Sequence, residues 1–249
     1  MESGLTRIAW QAPWLSPWRQ TGEQVAQRVS QGLPLHESLN AQPGAPLRFV
    51  PQDQPLSGAA YEHSISVGDC PVRENLHDFF SGLCWLQFPK AKARLNALHA
   101  GQIAGGSAHG RRGPVRDALT VFDENGALLD APQPLWDALL AHDWHALFID
   151  LRPLWGQARL LVFGHALLEK LETPRKELTA HVWRTQCPLD DITDADAWLA
   201  GQLNPQRLAA KPFTPMPVLG VPGWWPPNED ESFYADTRVF RLRRGIELS

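Results

Sequence analysis

Arg73, Asn75, His77, Asp78, Cys84, Asn96 and His99 are interleaved with apolar bulk across residues 70–99. An imidazole beside a carboxylate, as in His77–Asp78, supplies a ligand or general base next to an acid. Further on, VFGHALLEKL places His165 and Glu169 four residues apart. On one helical face that pair suits a clamp on a metal ion, or a base with its orienting carboxylate. The same spacing also fits a solvated structural pair, and His77 and Asp78 read equally as a ring on a backbone carbonyl and a cap on its own helix. Arg73, Arg116 and Asn75 are candidates for holding a polar or anionic substrate group. Polar groups set among apolar runs are costly to bury unless they are paired or used. The chemistry this set would support is metal-assisted or general-base hydrolysis, with His77, Asp78, His165 and Glu169 lining a pocket. No nucleophile elbow, HExxH, Rossmann fingerprint or catalytic-cysteine signature is present. The cofactor identity stays open, a divalent metal being the one that a His/Glu spacing admits.

Local signals define the elements that carry these residues. Asn75 precedes an apolar run and suits an N-cap; Pro89 stops the first helix and opens the next. The run from Leu76 to Phe88 is apolar at almost every angle, so that helix should be buried. Gly82 inside it points to close approach by a neighbour. The positive end of the helix dipole favours the Asp78 carboxylate and disfavours protonated His77. In the second helix Lys92, Asn96 and His99 share a face that reads as an ordinary solvated one. Arg159–Phe163 reads as a buried strand, and Gly164 opens a helix starting with His165. Leu178–Arg184 reads as a strand, Pro134–His142 and Asp194–Leu203 as helices, and LRFVP as a short strand. Strands are also expected at Tyr61–Val67, Asp117–Val121, Ala127–Asp130, Ala146–Asp150 and Thr237–Arg243. In that reading Asp123 and Glu124 form a hairpin turn, or else place a carboxylate at a strand end facing His77. The stretch GQIAGGSAHGRRGPV lacks the phosphate-loop pattern and reads as a Gly-rich loop, with Arg111, Arg112 and Arg116 near its end able to meet an anion.

Four separated motifs carry a resemblance: VRENLHDFFSGLCWLQFPKAKARLN, RDALTVFDENGALL, VFGHALLEKL and PVLGVPGWWPPNEDESFYADTRVFR. From about Trp10 onward the chain resembles the bacterial family catalogued as domain of unknown function 3025. The resemblance implies one bacterial domain and no particular activity. It also implies an Asn where this chain has Ser81; if that Asn carries chemistry, this member lacks it.

Bulk composition narrows the remaining classes. The chain has 249 residues, 43% hydrophobic and 20% charged, with net charge −4. That is ordinary for a globular protein, and it argues against nucleic-acid binding, which leans on a basic surface. No apolar run approaches a transmembrane length, and the N-terminus has no signal-peptide pattern. The three cysteines have no CxxC spacing and suggest a reduced cytoplasm. Eleven tryptophans and 22 prolines suggest long aromatic-pinned connections. Residues 1–20, with Trp10, Trp14 and Trp18, read as an arm docked on the body or as a tryptophan-lined groove. Residues 211–249 read as a Pro-rich strap and final strand, with Asn228, Glu229 and Tyr234 placed to close a pocket. The expected fold is α+β in one domain over 1–249, buried helices packing on a short, mainly antiparallel sheet. The alternative to an enzyme is a non-catalytic module that binds a protein or small-molecule partner through the Trp/Pro-rich surface.

Overall fold

The computed structural model describes residues 2–104 and 113–242. In chain order the elements are α1 (Glu2–Leu5), α2 (Arg19–Ser30), α3 (Leu35–Asn40), β1 (Arg48–Pro51), α4 (Gly58–Ser66), β2 (Asp69–Val72), α5 (Leu76–Gln87), α6 (Pro89–Ala104) and α7 (Pro114–Asn125). There follow β3 (Gly126–Asp130), α8 (Gln133–Ala141), β4 (Arg159–Val162), α9 (His165–Lys170), β5 (Thr179–Arg184), α10 (Ile192–Gln202), α11 (Pro205–Ala209) and β6 (Phe213–Pro217). Strands β1 and β2 pair in parallel. The larger sheet runs β4-β3-β5-β6, antiparallel at both outer pairings and parallel between β3 and β5. Small sheets with many helices make the fold α+β, as expected. Among the described residues no helix is long and apolar enough to cross a membrane.

Local chemistry accounts for the central helices. The Asn75 side chain accepts from the Asp78 amide at 2.8 Å and caps α5. Pro89 opens α6 directly after the break at Phe88. A Cβ on Gly82 would stand 2.6 Å from Leu39, so α3 packs there only because that side chain is missing. The Cys84 thiol reaches the Phe163 carbonyl at 3.3 Å and joins α5 to the end of β4. The Trp18 indole donates to the Val162 carbonyl at 3.2 Å in the same place. Burying Phe79, Phe80, Leu83, Phe88, Phe122 and Phe163 together supplies the main driving force for this arrangement.

Several local expectations are corrected. Tyr61–Val67 is not a strand: Ser57 caps helix α4, its side chain accepting from the Ala60 amide at 3.1 Å. Asp117–Val121 belongs to α7, which starts at Pro114 and buries Ala118, Leu119 and Phe122 as one helical stripe. The helical period wins there because the apolar residues recur at three and four, a spacing no strand can put on one face. Asp123 and Glu124 therefore sit in the last turn of a helix, and only the return strand survives as β3. Ala146–Asp150 is a π-helical turn closed by Leu151 donating to Ala146, with neighbours Leu147 and Phe148 both buried. Thr237–Phe240 turns on the Asp236 carbonyl instead of extending, while Arg243 and Arg244 lie outside the described residues, as do Arg111 and Arg112.

The arm does dock. Trp14 and Trp18 are buried, Trp14 packs against Trp224, and Trp10 meets Phe79 edge-on. Trp10 stays half-buried, and Trp14 lines a small apolar cavity of about 110 Å³ with Ile8, Leu15, Phe80 and Leu168. The Pro-rich segment contributes β6 at the sheet edge, where a strand tolerates proline. It is then pinned by Asn228, which donates to the Leu219 and Val221 carbonyls, and by Tyr234, which donates to Gly220. Glu229 pairs with Arg152. These three residues secure the strap and lie outside the cavity described next.

Candidate functional site

Helices α4, α5, α6, α7 and the start of α9 enclose a cavity of about 370 Å³. Its wall includes His77, Asp78 and Ser81 from α5, Lys92, Asn96 and His99 from α6, Arg116, Asp123 and Glu124 from α7, and His165 from α9. The polar face of α6 is thus not solvated: Lys92 and Asn96 are buried against α4 and α7. Ser81, where the family is expected to carry Asn, sits on the same wall.

Two imidazoles meet at the base of the site. His77 Nε2 lies 3.2 Å from His165 Nε2, and the rings contact edge to face. The other nitrogen of His77, Nδ1, lies 3.0 Å from the Glu169 carboxylate, which orients the ring and fixes a proton on Nδ1. Sequence spacing pairs Glu169 with His165 on α9, but its partner across the helix interface is His77. Glu124 Oε1 stands 3.7 Å from His165 Nε2. One ligand atom from each of His77, Glu124 and His165 falls within 4.8 Å of the others.

Gly164 makes this convergence possible. A Cβ there would stand 2.5 Å from the Glu124 carbonyl and from the Asn125 amide. The start of α9 can therefore press against the end of α7 only because residue 164 lacks a side chain. Its Cα position and the Gly126 carbonyl, which accepts from both Phe163 and Gly164, bring His165 beside Asp123 and Glu124.

The electrostatics favour a cation. Asp123 and Glu124 lie at the C-terminal, negative end of α7. Lys92, almost fully buried, answers one of them with Nζ 2.6 Å from Asp123 Oδ1. Burial works against both charges, but each holds the other ionised: Asp123 is lowered and Lys92 raised. Among the described residues no lysine or arginine comes within ion-pair distance of Glu124, and burial raises it. His165 is depressed to about 3, chiefly by burial, so its ring is neutral at neutral pH and ready to bind a metal. Its Nδ1 is buried with no hydrogen-bond partner among the described residues, the Asp123 carboxylate Oδ2 being 3.9 Å away. On the opposite wall Glu62 is pushed up to about 7 by burial and is hydrogen-bonded by Asn96.

The remaining sequence candidates divide. Both Asp78 oxygens are engaged by Arg73, through its guanidinium at 2.8 and 2.9 Å and its backbone amide at 2.6 Å. Asp78 and Arg73 thus satisfy one another on the cavity wall. Asn75 caps α5 and is not among the lining residues. Arg116 does line the cavity. The carboxylates at 123 and 124 do face the His77 region, from a helix end and not a strand end, while Glu62 and Lys92 join the wall without a signal in the sequence. A helix over 114–125 puts Arg116, Thr120, Asp123 and Glu124 on neighbouring faces.

The fold and site define an α+β protein with a helix-walled cleft built on two histidines and a ring of carboxylates. The chain belongs to the family described as protein of unknown function (DUF3025), whose model matches residues 47–244. No curated protein and no solved structure matches it.

Proposed function

We propose that this protein is a divalent-metal-dependent hydrolase whose metal is held by His77, His165 and Glu124. The observation that carries the reading is the approach of the two Nε2 atoms to 3.2 Å, with Glu124 at 3.7 Å from one of them. Donors about 2.1 Å from a tetrahedral zinc stand about 3.4 Å apart, so these separations fit the edges of a coordination shell. Occupation of both Nε2 atoms would leave a proton on each Nδ1, facing Glu169 from His77 and Asp123 from His165. That is the carboxylate–histidine arrangement that orients metal ligands, and it gives the orphaned His165 Nδ1 its role. Three protein ligands leave a coordination position for water, whose deprotonation a bound metal favours.

In hydrolysis, water adds its oxygen to the electrophilic carbon or phosphorus, and its proton goes to the leaving group. Glu62, with a proton affinity near neutrality, suits moving that proton. Asp78 holds Arg73 in place, and Lys92 keeps Asp123 ionised. Cys70, Cys84 and Cys187 are free thiols, in keeping with a reduced compartment such as the cytoplasm.

Elemental analysis of protein purified without chelator, followed by titration with zinc and manganese, tests the reading. The expected result is about one equivalent of metal, lost in His77→Ala and in Glu124→Gln. Wild-type protein that carries none and takes up none would end it.

A further inference from the structure

We infer that the cavity accepts an elongated small organic molecule, with a carboxylate or phosphate at one end held by Arg116 and its hydrolysable bond at the His77–His165–Glu124 end. This rests on the metal site proposed above and adds the substrate class.

Among the described residues three cationic side chains line the cavity: Arg73, Lys92 and Arg116. Two are already matched, Arg73 by both oxygens of Asp78 and Lys92 by Asp123. The Arg116 guanidinium forms no ion pair or side-chain hydrogen bond among the described residues; Glu62 feels its charge but no carboxylate comes within ion-pair distance. A guanidinium presents a planar fork that matches carboxylate and phosphate geometry, so an unmatched one on a cavity wall is a site for an oxyanion.

Helix α7 sets the spacing. Arg116 is in its first turn and Glu124 in its last, and both line the cavity. At about 1.5 Å rise per residue, their backbone positions are about 12 Å apart along the helix axis. Helical side chains all lean toward the N-terminus, so the ionic end and the metal end keep about the same separation, on the order of 12 Å. One phosphate cannot touch both ends; a molecule with several bonds between them can. Trp85, Leu95, Ile103 and the half-exposed Leu56 add apolar wall for its body. The charge balance agrees. The lining carboxyls are Glu62, Asp78, Asp123 and Glu124, against the three cations. A bound dication leaves the wall net positive, and an anionic ligand completes it.

A series of linear α,ω-dicarboxylates, from succinate to suberate, measures that distance. Binding of each to the zinc-loaded full chain is read by calorimetry, with acetate as the single-carboxylate probe. One chain length is expected to bind at least tenfold tighter than acetate. Arg116→Gln should abolish that advantage while leaving zinc affinity within twofold, and Arg116→Lys should retain part of it. A series without a length optimum, or an optimum that persists in Arg116→Gln, overturns the inference and leaves the metal site standing. If zinc titration alone shows no uptake, the metal reading falls and this one falls with it.

Discussion

His77 and His165 bring their Nε2 atoms to 3.2 Å although 88 residues separate them. His77 enters from a long buried helix capped by Asn75, and His165 opens a short helix after Gly164. Neither ring reaches the other without the contact between α5 and α9, which the Cys84–Phe163 bond and the surrounding phenylalanines hold in place.

Glu169 should matter for metal binding more than for folding. Its carboxylate is about one-third exposed and sits 3.0 Å from His77 Nδ1. Glu169→Gln removes the charge that makes the ring a stronger donor. Zinc affinity should fall about 10–100-fold, measured by competition with a chromophoric chelator, with little change in melting temperature.

Lys92 and Asp123 form a buried pair at 2.6 Å. Removing one partner leaves an uncompensated charge beside the cavity. Lys92→Met should destabilise by about 3–5 kcal/mol in urea denaturation, and Lys92→Met with Asp123→Leu should recover most of that. Additive losses in the double variant would show that the two groups do not depend on each other.

Gly164→Ala tests the close backbone approach. The added methyl would meet the Glu124 carbonyl and Asn125 amide at 2.5 Å, and neither belongs to a flexible side chain. The start of α9 must then move from the end of α7. The cost should be about 1–3 kcal/mol, and metal affinity should fall because Glu124 and His165 separate. Wild-type metal affinity in this variant would show that the contact does not set the site.

Glu62 makes stability depend on pH. In the unfolded chain its carboxyl ionises near 4.5, whereas burial raises it to about 7 in the fold. Between those values the folded protein holds a proton that the unfolded chain has lost. This contribution is therefore largest below pH 4.5 and disappears as pH rises through about 7. Glu62→Gln keeps an acceptor for Asn96 without the charge. It should melt about 2–4 °C higher than wild type at pH 8 and about the same at pH 4.5, by scanning calorimetry. An equal difference at both pH values would place the effect elsewhere.

The amino-acid sequence alone determined the features that need only near neighbours. The Asn75 cap, the break at Pro89, the small-residue contact at Gly82 and the strand–glycine–helix at 159–170 follow from hydrogen bonding and sterics within a few residues. Family membership was legible for the same reason, being carried by contiguous motifs. Tertiary structure decided the rest. Glu169 turned to His77 instead of its own helix mate, the α6 face was covered by α4 and α7, and Asp123 and Glu124 joined the site from the end of a helix read as a strand. Within 117–121 alone the run is too short to show its period; the helical spacing emerges only when Phe122, packed on Phe163 and Trp183, is counted with Ala118 and Leu119. Which charges become neighbours depends on which faces are buried against each other, and burial is a property of the whole chain.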